Sequence, residues 1–78
     1  MKVQNILNMN IYSFQKGFNQ VTVQEARKLR NDLKEVLKIN SRPAWLNRLR
    51  GNVEPKVSEA KAIEDVFAKY GINEIWGE

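Results

Sequence analysis

Arg42, Ala44, Asn47, Arg48 and Arg50 fall within nine consecutive residues, a set of side chains suited to the edges and backbone of base-paired nucleic acid. A guanidinium bonds in pairs to guanine O6 and N7, a carboxamide to adenine N6 and N7, and a small methyl group meets the thymine methyl. Arg42, Ala44, Asn47 and Arg48 are therefore the candidates for reading bases. Lys34, Lys38, Ser41, Arg50 and Lys56 are the candidates for phosphate oxygens, which set register without carrying sequence information. On an unused face the same residues would be solvated surface charge, so their placement decides.

Other chemistry is narrowed by what is missing. With neither His nor Cys the chain has no imidazole base, no thiolate, no disulfide and no Cys/His zinc site. Glu64 and Asp65 are adjacent, so on a helix they point about 100° apart and cannot flank one substrate as a pair of glycosidase carboxylates does. No glycine-rich phosphate loop or carboxylate metal motif is present. Neither an enzyme nor a bound metal or cofactor is expected.

Charge runs in blocks. Residues 1–21 contain Lys2 and Lys16 and no acid, residues 22–51 hold eight cations against three acids, and residues 52–78 hold three cations against six acids. A basic centre points to a polyanion, because Lys and Arg at phosphates release condensed counterions.

The elements that must position these residues are short. Seventy-eight residues make one small domain with a thin core, which helix packing or self-association has to supplement. Leu7, Met9 and Ile11 alternate with Asn8 and Asn10, a pattern for a short strand turning at Lys16-Gly17 or for an extended arm. Thr22 and Glu25 have capping-box spacing, and Ala26, Leu29, Leu33, Val36 and Leu37 line one face of a helix from about 23 to 37, with Ile39 closing its end. Ser41, Pro43 and Gly51 bound a second helix. With Leu46 and Leu49 inward, Ala44, Asn47 and Arg48 point outward and Trp45 lies on a flank, where core, sugar-phosphate wall and protein interface all stay open for it. Ala60, Ile63, Val66, Phe67 and Tyr70 make the inner face of a helix from about 58 to 70, Gly71 ends it, Ile72 folds back, and the Trp76 indole docks on the core.

This order resembles the second half of a phage-repressor-like (Cro/Xre-type) helix-turn-helix domain. Leu37-Lys38-Ile39 is similar to the family's Leu-Gly-Val turn, residues 42–50 to its recognition helix, Gly51 and Pro55 to its Gly-x-x-x-Pro loop, and residues 60–72 to the next helix with its Gly-Val end. Lys34 stands where the family usually has a small residue and Lys38 where it has the turn glycine. The size and ending are also similar to compact helix-turn-helix proteins of bacterial mobile elements and prophages. The resemblance, with the patterning above, implies a mainly α fold of three to four helices, with an N-terminal arm or short strand over 1–20 and the helix-turn-helix domain over 21–78. It further implies sequence-specific binding of double-stranded DNA, regulation of transcription, and a homodimer on paired half-sites. The rival expectation is a protein-binding adaptor or inhibitor that uses the scaffold without reading DNA. No signal peptide or apolar run of bilayer length is apparent, and a cytoplasmic location is expected.

Overall fold

The computed structural model describes residues 11–78, and the chain there is mainly helical. Helix α1 is the single turn Gln15–Phe18, α2 is Val23–Leu37, α3 is Arg42–Arg50 and α4 is Val57–Ala68. Their boundaries follow from local chemistry. The Thr22 hydroxyl accepts the Glu25 N–H at 3.2 Å and opens α2, and the Ser41 hydroxyl accepts the Ala44 N–H at 3.2 Å and opens α3, with Pro43 in the first turn.

Three helices close with the same paired bonds. Lys38 and Ile39 donate to the carbonyls of Glu35 and Lys34, Gly51 and Asn52 to those of Arg48 and Asn47, and Gly71 and Ile72 to those of Ala68 and Phe67. These are Schellman closures, each with a left-handed residue: Lys38, Gly51 or Gly71. Lys38, with φ 58° and ψ 44°, is the non-glycine residue in that conformation among those described, and it stands where the family resemblance expects glycine.

The core gathers Phe14, Leu29, Leu33, Leu37, Trp45, Ile63, Val66, Phe67, Ile72 and Ile75. Packing of α2 on α4 is its most extensive helix contact. At the edge of that contact the Tyr70 hydroxyl donates to Asp32 Oδ2 at 2.8 Å, and burial together with the neighbouring carboxylate pushes the phenol up to about 12. Leu46 and Leu49, expected fully inside, are only partly buried, because Trp45 takes the inward position on α3 with its ring 5.7 Å from Phe14 and 5.5 Å from Phe18. Val36, expected on the apolar face of α2, is 37% exposed.

The N-terminal boundary also moves. Leu7, Met9 and Lys2 lie outside the described residues, but Ser13 and Phe14 are fully buried and Lys16-Gly17 belongs to the α1 turn rather than to a strand reversal. Ser13 Oγ donates to the Leu49 carbonyl at 2.8 Å and the Phe14 N–H to the same oxygen at 3.2 Å, which satisfies a carbonyl left without a helical partner at the end of α3. On its other side the segment meets the end of the chain: Gly77 N–H donates to the Ser13 carbonyl, Lys16 N–H to that of Gly77 and Gly17 N–H to that of Ile75. One isolated parallel bridge, Phe14 to Gly77, results.

Gly51 is where this strap presses hardest on α3. Its φ is +83°, and a Cβ there would lie 2.5 Å from the Ser13 nitrogen and 2.8 Å from the Tyr12 carbonyl carbon. Gly71 has a similar φ of +76° and open space around it. Gly51→Ala is therefore expected to cost about 2–5 kcal/mol, the left-handed penalty plus overpacking, and Gly71→Ala only about 1–2 kcal/mol. Urea unfolding followed by tryptophan fluorescence compares them, and equal losses would contradict the close packing of the strap on α3.

Candidate functional site

With Trp45 inward, helical geometry places Pro43, Asn47 and Arg50 about 140–160° away, on the outer face of α3. Asn47 and Arg50 are exposed, Arg42 is exposed in the first turn, and Ala44 and Leu46 are half-buried on the two flanks. Asn47 Oδ1 accepts from Asn52 Nδ2 at 3.2 Å, which leaves its own amide hydrogens free of a side-chain partner. Three of the four base-reading candidates, Arg42, Ala44 and Asn47, thus remain accessible on one short helix.

Arg48 does not. Spacing along the sequence puts it on the outward face together with Asn47, but its Nη1 and Nη2 donate to Glu59 Oε1 and Oε2 at 3.2 and 3.0 Å, with the two side chains only 15% and 23% exposed. The shift from Leu46 to Trp45 as the inward residue rotates Arg48 towards α4, where Glu59 waits at the third position of the helix. The Lys56 N–H also donates to Glu59 Oε1 at 2.9 Å, so one carboxylate closes the first turn of α4 and clamps α3. That backbone bond, then the Arg48 bonds, hold the Glu59 carboxyl below its ordinary value, against the smaller opposing effect of burial.

Beside the N-terminus of α3 a polar cleft of about 520 Å³ opens between it and α2. Arg30 and Lys34 from α2, Asn40 from the connection and Arg42 from α3 line it, with Trp45 and Leu46 as its apolar part. No acid lines this cleft. The ion pairs among the described residues join Lys16 to Glu74, Arg48 to Glu59 and Lys61 to Asp65, so Arg30, Lys34, Lys38, Arg42, Arg50 and Lys56 enter none of them. Two of the α2 acids, Glu25 and Asp32, line a different cleft with Lys28, Lys69 and Tyr70. Three cations gathered in one cleft with no acid among its lining residues repel one another, a cost that a bound anion relieves.

The structure brings Lys34 and Arg42 together and adds Arg30, Asn40 and Leu46, which residue types alone had not singled out. Arg30 stands four residues before Lys34 on one helix and so shares its face, the signal in the sequence that could have found it. Lys38 is exposed at the left-handed turn, Ser41 is exposed with its Oγ accepting the Ala44 N–H, and Lys56 lies at the start of α4 with no contact tying it to the cleft. Lys16, a cation of the segment before α2, pairs with Glu74 at 3.2 Å. Among the described residues no group of three or more acidic side chains is placed to hold a metal ion, and no helix is long and apolar enough to cross a membrane.

Compared with known proteins, the chain matches no family model, no curated sequence and no solved structure.

The Arg48–Glu59 clamp has a pH signature. Because the folded chain holds the Glu59 proton less tightly than the unfolded one, its contribution is complete above the ordinary carboxyl value of 4.5 and is lost as pH falls through the lowered folded value. Glu59→Gln is expected to be less stable than the parent at about pH 6, with the difference closing as pH falls below the ordinary carboxyl range. Urea midpoints measured across that range test this, and a difference independent of pH would contradict it.

Proposed function

We propose that the chain binds double-stranded DNA through the outer face of α3 and the cleft at its N-terminus, as a small regulator of the phage-repressor-like helix-turn-helix type. The observation that carries this reading is the pairing of geometry with charge. Two helices are joined by the short connection 38–41, with a left-handed residue at the position of the expected turn glycine, and unpaired cations line the junction. In this reading Asn47 pairs with adenine, Arg42 bonds to guanine, and Ala44 meets a thymine methyl. Arg30, Lys34, Lys38, Ser41, Arg50 and Lys56 hold phosphates on either side.

The same reading makes the protein a transcriptional regulator of a mobile element or phage, cytoplasmic, and a homodimer on paired half-sites. An apolar surface left open by the fold, with Ile11, Tyr12, Pro55, Val57 and Trp76 around a shallow groove, gives a second copy something to bury. Sedimentation at tens of micromolar is expected to return a dimeric mass, and a monomeric mass throughout would sink the dimer.

Selection of bound sequences from a random duplex pool tests DNA readout. The parent is expected to enrich a short motif that relaxes at one position in Asn47→Ala, at a cost of about 1–3 kcal/mol against the preferred base. Lys34→Ala is expected to weaken all sequences alike and to reduce the salt slope by about one. No enrichment, with binding to protein partners that responds little to salt, would contradict this reading in favour of the adaptor.

A further inference from the structure

We propose that Glu59 determines which bases α3 reads, by holding Arg48 out of the groove. The proposal rests on the DNA-contact reading of α3 and adds a residue from outside that helix. Arg48 is the one arginine of α3 that is both half-buried and paired; Arg42 and Arg50, at the two ends of the same helix, are exposed. On the helical wheel it shares the flank of Ala44, four residues earlier, and lies about 100° from Asn47. A long guanidinium arm on that stripe reaches the outer face once it is released. In the fold it is drawn the other way, into two parallel bonds of 3.2 and 3.0 Å with one carboxylate.

Glu59 is well fixed for this task. It stands in the first turn of α4, where the helix dipole favours a negative charge, and its Oε1 is already held by the Lys56 N–H at 2.9 Å. Planar two-point pairing of this kind is the geometry that guanine O6 and N7 also offer an arginine. The Glu59 carboxylate thus occupies the hydrogen-bonding edge of Arg48 that a guanine would use. Arg48 is thereby kept from the bases, and the base contacts are left to Arg42, Ala44 and Asn47.

A structural role for the bridge would change stability alone, so base preference is the discriminating readout. Sequences bound by the full chain are selected from a random duplex pool at one salt concentration, with Glu59→Gln, Glu59→Asp, Arg48→Met and the Glu59→Gln/Arg48→Met double variant in parallel. Gln at 59 can still accept the Lys56 N–H and keep α4 capped, while Asp keeps the charge but withdraws it from Arg48. Thermal unfolding by circular dichroism establishes that each variant is folded at the selection temperature. Arg48→Met is expected to lower stability and leave the selected motif as in the parent. Glu59→Gln and Glu59→Asp are expected to gain a guanine preference of about 5- to 150-fold at one position, which the double variant loses. A parent motif that persists unchanged in both Glu59 variants overturns the proposal while leaving DNA readout intact, as does a motif that relaxes in Arg48→Met alone. No motif for the parent chain overturns the DNA reading itself and this proposal with it.

Discussion

Ser13 and Phe14 sit where the end of α3, the end of α4 and the last residues of the chain converge, and the placement of α3 depends on that insertion. The Phe14 ring lies 5.7 Å from Trp45, 6.0 Å from Phe67 and 6.4 Å from Trp76, so one side chain joins three otherwise separate segments. Tilted and edge-to-face aromatic pairs contribute about 0.5–1.5 kcal/mol each beyond the area they bury, a large share of the stability of so small a domain. Ser13 contributes direction where Phe14 contributes area. Its hydroxyl donates to Leu49 and its carbonyl accepts from Gly77, and no buried side-chain polar atom among the described residues is left without a partner.

From that insertion the character of the site follows. Trp45 turns inward because Phe14 and Phe18 supply the apolar wall it packs on, and this sets the rotation of the whole of α3. Asn47 and Arg50 are thereby left outside and Arg48 is brought against Glu59. The Schellman closure at Lys38 then starts the connection to α3, beside the cleft that Arg30, Lys34 and Arg42 share. A lysine in the left-handed region is less favourable than glycine by about 1–2 kcal/mol, and here it adds a cation at the turn. Exposure of Lys38 and Arg42 and the half-exposure of Lys34 keep all three available to an anion at the α2–α3 junction.

Much of this was legible in the chain. The start of α2 at Thr22, the Ser41 cap and Pro43 in the first turn of α3, and the closures at Gly51 and Gly71 all depend on neighbours within a few residues, and each appears where residue type placed it. Rotation of α3 was not legible. In a nine-residue helix Leu46 with Leu49, three apart, and Trp45 with Leu49, four apart, describe equally good inner faces, and only the tertiary wall of Phe14 and Phe18 selects the second. Arg48 was misplaced for the same reason, since its partner lies across a reversal of the chain that local spacing does not encode. Phe14 was overlooked because the segment before α2 carries weak periodicity, and its burial comes from contacts with residues more than thirty positions away.

The measurement that tests the central claim most directly is a ¹H–¹⁵N NMR titration of the labelled chain with a mixed-sequence DNA duplex at low salt. If α3 and its cleft are the contact surface, the largest shifts fall on Arg30 and Lys34, on the connection 38–41 and on the α3 amides, while Glu64, Asp65 and Glu74 stay in place. Shifts centred instead on Tyr12, Val57 and Trp76, or none at all, would contradict it.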